Sequence, residues 1–368
     1  PGKAFVSRGA VQRDLRLLVK AGLEKKIPVF IGSAGGSGSN AGVDNVIEIL
    51  REIMAEENLH AKVAEVYAEQ SHEYLKKKLH AGEIIPLDGA KDLTDIDIDR
   101  SSHTVVCLGP EPFQKALGGG ADIVISGRTT DASIYAAIPL MQGCDPALVW
   151  HASKIMECGA AMAVPKSSDS MLVHMYDDHF VMQPPNPAKR VTVANVAAHT
   201  MYECPHPFMI HEPNGIIDAG DCTFEQIDEH HVKVSGSKLR EAPYSVKLES
   251  VESLGFRTIA IGGTHDPELL AHLDEHIERV KGYLAERVRN VYPQLADGGY
   301  QVKFVCYGKN GVMGQHEINE FSGYEVGIVI DIISDTQDHA DSILSMARTL
   351  LMHSDYPRRK CIAGSIAW

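Results

Sequence analysis

Val29-Phe30-Ile31-Gly32-Ser33-Ala34-Gly35-Gly36-Ser37-Gly38-Ser39-Asn40 runs from an apolar triplet through a glycine and serine loop into the amphipathic run Ala41–Glu56. A short strand that turns directly into a helix is the first half of a crossover unit. The residues on either side repeat that alternation. Val11–Lys25 has helical spacing, Lys62–Tyr67 reads as a strand and Ser71–His80 as a helix. Thr104–Leu108, Pro112–Leu117, Asp122–Ser126 and Asp131–Leu140 then read strand, helix, strand, helix. Strand and helix in turn, with short connections, predict a parallel sheet with crossovers. Residues 1–165 are thus expected to form a Rossmann-like layered α/β domain.

The texture changes over Pro165–Pro187, where Lys166-Ser167-Ser168-Asp169 and Pro184-Pro185-Asn186-Pro187 predict a linker or surface excursion. Thr192–Glu203 has helical character, and strand-like pieces at Val232–Val234 and Tyr244–Leu248 follow. In the tail, Phe256–Ile261 reads as strand, Pro267–Arg289 as one long helix, Gln301–Tyr307 and Tyr324–Ile333 as strands and His339–His353 as helix. Residues 166–368 are therefore expected to be an α+β domain ending in a ferredoxin-like unit.

Composition narrows the function. The chain has 368 residues, 44% hydrophobic, with 35 Lys+Arg against 49 Asp+Glu and a formal net charge of −14. That is enough apolar material for a large core, and a surface that repels nucleic acid and anionic membranes. The expected partner is a small molecule, and an anionic one must be met by local arginines or backbone N–H groups. Seven widely spaced cysteines without a C-x-x-C pair argue against a disulfide framework or a zinc knot. No apolar run is long enough for a membrane span and no signal segment opens the chain, so the expected location is cytoplasmic. The chain starts at Pro1 without an initiating Met, which points to a fragment or processed chain; a terminal proline amine could also act as a base.

Four places could carry chemistry. Gly32, Ser33, Gly35, Gly36 and Ser37 form either a plain tight turn or an anion cradle, in which glycines admit a carboxylate to the backbone and serines donate to it. The spacing is neither the dinucleotide fingerprint nor the P-loop. Ser126-Gly127-Arg128-Thr129-Thr130-Asp131 places Arg128 at a strand outlet, where its planar fork suits a carboxylate. Asp131 there could cap the next helix, orient Arg128 or hold a cation. On one helix, His151, Lys154 and Glu157 are three apart, which suits either a proton-transfer set or an ordinary Lys154–Glu157 ion pair. His199 and Glu203, four apart, could be a base with its orienter, a metal-binding pair, or a core histidine with its hydrogen-bond partner. The acidic stretch Asp92–Asp99 reads as a solvated edge.

At these same segments the chain resembles the acyclic terpene utilisation (AtuA-type) family, from about Phe5 to Trp368. The carriers include Ile31-Gly32-Ser33-Ala34-Gly35, Tyr67-Ala68-Glu69-Gln70, Glu111-Pro112-Phe113, Gly120-Ala121-Asp122-Ile123-Val124-Ile125-Ser126-Gly127-Arg128 and His151-Ala152-Ser153-Lys154-Ile155-Met156-Glu157-Cys158-Gly159. Val196-Ala197-Ala198-His199-Thr200-Met201-Tyr202-Glu203 and Tyr307-Gly308-Lys309-Asn310-Gly311-Val312-Met313-Gly314 complete them. The resemblance implies a cytosolic catabolic protein that works with a small companion subunit on branched acids or their coenzyme A esters, by lyase or hydratase chemistry. Members of that family usually carry a further N-terminal region rich in Asp, Gly, Ser and Thr, which is missing before Phe5 here. If that region supplies part of the pocket, this chain alone is an incomplete enzyme.

The expectation is a hydratase, dehydratase or carbon–carbon lyase acting on a small branched hydroxy-acid or its CoA thioester, in a homo-oligomer. Gly32–Ser37 and Arg128 hold the substrate oxygen, His151 or His199 moves the proton, and Lys154, Glu157 and Glu203 tune those bases. A Mg²⁺ or Mn²⁺ ion on Asp131 or Glu203 is the cofactor such a site could take. The competing expectation is a non-catalytic scaffold or regulatory subunit of a degradation complex, assembling through exposed strands at Gln301–Tyr307 and Tyr324–Ile333.

Overall fold

The computed structural model describes residues 5–167 and 169–368; Pro1 and Ser168, which entered the expectations above, lie outside them. The chain divides into two compact units, Pro1–Glu252 and Ser253–Trp368. The change of texture near residue 165 falls inside the first unit, not between units.

In the first unit, α1 (Arg8–Lys25), β1 (Val29–Ile31), α2 (Asn40–Glu56), β2 (Val63–Val66), α3 (His72–His80), α4 (Asp95–Arg100) and β3 (Ser101–Val106) follow one another. Then come α5 (Glu111–Gly118), β4 (Ile123–Ser126), α6 (Ser133–Met141) and α7 (Pro146–Met156). Side-chain caps fix where several helices begin: Ser7, Ser39 and Ser71 each accept from the third backbone N–H beyond them. Thr94 and Asp97 form a capping box at α4, so the acidic stretch expected to be a solvated edge starts a helix. Asp97 is held at about 2 by Lys91 and Thr94.

β1 and β2 flank β4 in a parallel sheet, with Val29 and Val63 both opposite Ile123. β4 is buried throughout. Its side chains alternate: Ile123 and Ile125 join Val43, Val46, Ile47 and Leu50 of α2, whereas Val124 packs with Phe113 and Ala137. β3 does not extend this parallel sheet as its sequence suggested. It pairs antiparallel with a strand far along the chain, β12, described below.

The remainder of the unit is antiparallel. The Pro165–Pro187 stretch, expected to be a linker, contains the hairpin β5 (Leu172–Met175) and β6 (His179–Gln183), whose Phe180 and Met182 are buried. The continuous buried run Phe180, Val181 and Met182 outweighs the flanking prolines. After α8 (Val193–Thr200) come β7 (Met209–Glu212), β8 (Gly215–Asp218), β9 (Thr223–Gln226), β10 (Val232–Ser235), β11 (Lys238–Arg240) and β12 (Leu248–Glu252). The strand orders are β5-β6-β10-β9 and β11-β8-β7. The strand expected at Tyr244–Leu248 starts at Leu248 instead, and Tyr244 donates its hydroxyl to Glu111 at 2.9 Å.

The second unit has β13 (Phe256–Thr264), α9 (Pro267–Ala271), α10 (Leu273–Val291), β14 (Tyr300–Tyr307), β15 (Val326–Ser334) and α11 (Gln337–His353). The long helix expected at Pro267–Arg289 is broken at His272, whose backbone sits at φ −119° and ψ 20°. The sheet order is β13-β15-β14 with antiparallel neighbours, so β13 and β14 run parallel to each other on either side of β15. Every second residue of β15, from Val326 to Ser334, is buried, and its isoleucines pack with α10 and α11. The Tyr324–Ile333 stretch, expected as an exposed strand, is thus the central one. Ala367 forms a single antiparallel bridge to Gly263 on the outer side of β13. Among the described residues no helix is long and apolar enough to cross a membrane, and all seven cysteines are free thiols.

Candidate active site

The two neighbouring βα junctions do face each other. Past β4, Gly127 lets the chain run so close to the segment that follows β2 that an added Cβ would lie 2.7 Å from that of Ala68. Arg128 then lies against the serine loop, its N–H on the Gly38 carbonyl at 3.0 Å. One terminal nitrogen of its guanidinium donates to Ser33 Oγ at 2.9 Å and to Asp131 Oδ1 at 3.2 Å. The fork expected to receive a substrate is occupied, however. Nε and the other terminal nitrogen hold the two oxygens of Glu249, on β12, at 2.9 and 3.1 Å. Burial opposes the guanidinium charge, but the bonds and charge of Glu249, with Asp131, outweigh it and raise the pKa above its ordinary value. Arg128 in turn holds the Glu249 carboxyl below the usual range. Beside the pair, burial pushes the Cys107 thiol up to about 11.

The donors of the loop are in part already engaged. Its N–H groups at Ser33, Ala34, Gly36 and Gly38 are spent on the carbonyls of Gly127, Ser126, Ser33 and Ala34. The N-terminus of α2 is already met by a carboxylate, since Asn40 N–H donates to Glu69 at 2.8 Å, and Glu69 also bonds His103. Gly38 is the loop glycine that packs against the Arg128 backbone, whereas Gly32 lies against Thr129 and Ile134, Gly35 against Gly42 and Gly36 against Phe5; Ser37 bonds Ser39, and the Ser33 side chain reaches the guanidinium. Asp131 orients Arg128 and does not cap α6, whose N-cap is Ala132 without a side-chain bond.

A second polar group lies one step further along the same connection. Thr130 Oγ1 donates to Glu212 Oε2 at 3.3 Å. Glu212 closes β7, next to the turn Pro213-Asn214, and its carboxyl is pushed up to about 7, by burial first and then by the charge of Glu157, against the pull of Lys154 and Thr130. Lys154 and Glu157, on the same flank of α7, are in direct ion-pair contact, with side chains only 10% and 11% exposed. Burial lowers and Glu157 raises the Lys154 pKa, with a net rise; burial dominates at Glu157 and raises it. Asp131 and Glu203 add to the negative field at Glu157. Buried hydroxyls of Ser126 and Ser133, without a partner among the described residues, belong to the β4–α6 connection that carries Arg128 and Thr130.

The histidines separate. His151 is fully buried, its Nδ1 against Ser237 Oγ at 2.8 Å and its Nε2 against Thr200 Oγ1 at 3.0 Å, with Phe180 edge-on at 5.4 Å. Burial depresses it to about 4. Both ring nitrogens are engaged by hydroxyls, and of the expected His151–Lys154–Glu157 set the structure joins Lys154 to Glu157. His199 remains beside it: Nε2 is buried without a partner among the described residues, the ring stacks on Tyr202 at 5.1 Å, and burial followed by the charge of Lys154 lowers its pKa. The expected His199–Glu203 face does not form. α8 ends at Thr200, and Glu203 takes a left-handed φ of 56° beyond it, where it bonds Tyr202. Among the described residues no group of three or more His, Cys, Asp and Glu is arranged to hold a metal ion.

The family-level sequence model described as acyclic terpene utilisation family protein AtuA matches residues 9–164 and 174–357, most of the chain. The chain belongs to the AtuA family. That match takes in Arg128, Thr130, Lys154, Glu157, His199, Glu212 and Glu249, so the whole polar cluster lies within the AtuA-matched residues. No curated protein and no solved structure matches the chain. Glu212 and Glu249 are the two AtuA-chain residues of the cluster that sequence reasoning did not single out. Each is an isolated acid on a short strand, given meaning only by the residues that folding brings to it.

Proposed function

We propose that this AtuA-family chain is a catabolic lyase, adding or removing water or cleaving a carbon–carbon bond, on a small branched hydroxy-acid or its CoA thioester. The observation that carries this reading is the Glu212 carboxyl, raised to about 7 next to the Lys154–Glu157 ion pair. A carboxyl with that pKa exchanges a proton near neutral pH in either direction. His199, lowered by the same surroundings, stays neutral and able to accept a second proton. Two groups pushed towards neutrality from opposite sides are the acid and base that elimination needs. In this reading Lys154 stabilises negative charge on the substrate oxygen. Ser33, Asp131 and Arg128 form the neighbouring wall, with Glu249 occupying the guanidinium until a substrate carboxylate replaces it.

The finer fold assignments belong to the same reading. Helices against both sides of the β1-β4-β2 sheet support a reduced Rossmann-like layer. The β13-β15-β14 order, with Ala367 bridged outside β13, supports a ferredoxin-like second unit. A cytoplasmic location, a homo-oligomer, a small companion subunit and a Mg²⁺ or Mn²⁺ requirement are proposals on the family resemblance and the chemistry of the class. The assembly reading keeps one supporting observation, the free edge of β14.

The test is incubation of the chain with a branched 3-hydroxyacyl thioester and the free hydroxy-acid in D₂O, with and without Mg²⁺ or Mn²⁺. The readouts are deuterium at the carbon next to the carbonyl and formation of the unsaturated product. Exchange that falls about 100-fold or more in Glu212→Gln, with an unchanged melting curve, is the expected result. No exchange and no turnover under all conditions overturns the lyase reading and leaves assembly.

A further inference from the structure

The second unit has a cleft of its own. About 860 Å³ in volume, it lies between the end of β13, the start of α9 and the segment Arg358–Ala367. That size is in the range of small-molecule sites. Its floor is tied together by one carboxylate: Asp266 caps α9 through the N–H groups of Glu268 and Leu269, and accepts from Tyr356 at 2.7 Å and Ser365 at 2.8 Å. The C-terminal segment is thereby bound to α9 before any ligand arrives. His265 and Pro267 also line a second hollow of about 430 Å³, walled by Leu270, Ala271, Phe321 and Tyr324. A cleft that carries charged side chains and an apolar hollow therefore share a wall.

The charges of the cleft decide what fits. Asp266 is satisfied by its four donors, and Glu268 faces Arg358 at 2.7 Å. Lys360 lines the cleft, exposed and without an ion-pair partner among the described residues. His265 donates from Nδ1 to the Tyr324 carbonyl at 3.1 Å, which makes Nε2 of the neutral ring an acceptor that offers nothing to an anion. Against Lys360 stands Glu325, likewise without a cationic partner among the described residues. We infer that the second unit binds a small amphipathic carboxylate, its anionic head at Lys360 and its hydrocarbon tail between Leu270, Ala271, Phe321 and Tyr324. This site lies entirely within Ser253–Trp368 and does not depend on the lyase reading of the first unit.

Decanoate, below its aggregation concentration, is the probe, with decanol and decyltrimethylammonium as uncharged and cationic counterparts, titrated calorimetrically into the full chain. Decanoate is expected to bind once per chain, decanol more weakly and the cation not at all. Lys360→Ala should weaken decanoate about 5–10-fold, the loss of one surface-accessible charge-assisted contact. Ala271→Trp, at an exposed position, fills the hollow and should abolish binding. Glu325→Gln removes a like charge and should tighten it. Absence of decanoate binding, equal affinity for the cation, or decanoate affinity unchanged in Lys360→Ala and Ala271→Trp with parental melting curves overturns the inference.

Discussion

Arg128 grips Glu249 with two parallel hydrogen bonds, 2.9 and 3.1 Å long, across 121 residues of chain. The pair joins the outlet of the parallel sheet to β12, the last strand of the first unit. The Glu249 side chain is 47% exposed, so solvent weakens the bond, but the bidentate geometry keeps it above the level of an ordinary surface pair. Glu249→Gln should cost about 1 kcal/mol in urea denaturation. It also opens the fork. A small carboxylate such as 3-methylbutanoate should then raise the melting temperature of Glu249→Gln but not of the parent. Equal effects on both would place carboxylate binding elsewhere.

Glu212 ties stability to pH. Its folded pKa of about 7 lies above the ordinary value of 4.5, so the folded chain holds the proton that the unfolded chain releases. The stabilisation is complete below about 4.5 and is lost as pH rises through 7, by about 1–3 kcal/mol after allowance for partial exposure. Denaturation midpoints measured from pH 5 to 9 should fall along that limb. Glu212→Gln, neutral at every pH, should flatten it; a limb of the same slope in the variant would assign it to another group.

What the sequence makes legible here is local. The triplet Val29–Ile31 and the run Ile123–Ser126 announce strands because their apolar character is continuous, and Lys154 meets Glu157 because a helix places residues three apart side by side. The strands and helices of the second unit are announced by their period, but nothing in that period says that β15 is the central strand. What stays hidden depends on distant partners. Nothing within Thr104–Leu108 says that its neighbour is Leu248–Glu252, and the glycines of the serine loop read equally well as a ligand cradle or as room for the Arg128 backbone. Glu212 is one of 49 acids until burial and the Lys154–Glu157 pair act on it. Nor does helical register with Lys154 tell that both ring nitrogens of His151 meet the hydroxyls of Ser237 and Thr200.

That placement of His151 has a thermodynamic signature. Its pKa falls from 6.5 unfolded to about 4 folded, so the unfolded chain binds the proton first on acidification. Stability present above pH 6.5 is lost as pH falls towards 4, amounting to about 3 kcal/mol for a group so deeply buried. His151→Ala should cost about 3 kcal/mol at neutral pH through the cavity and the two stranded hydroxyls, and should reduce the acid dependence. Measured at a temperature where the variant is folded, any proton exchange catalysed by the chain should survive. Loss of exchange in a folded His151→Ala chain would return His151 to the chemistry.

Gly38 and Gly282 separate the two uses of glycine. At Gly38, φ is 66° and an added Cβ would lie 2.2 Å from the Arg128 backbone nitrogen. Neither the serine loop nor the β4 outlet can yield, because each is held by the other through Gly38 O, Ser33 and Arg128. Gly38→Ala should therefore cost ~3 kcal/mol or more and loosen the Arg128–Glu249 pair with it. Gly282 lies mid-helix in α10, exposed, and a Cβ added there would meet nothing within 4 Å. At that position alanine only removes backbone freedom from the unfolded chain, and Gly282→Ala should stabilise by about 0.5–1 kcal/mol. Urea midpoints of the two variants should move in opposite directions. A Gly38→Ala chain as stable as its parent would mean that the junction has slack, and that Arg128 is free to leave Glu249 without help from a ligand.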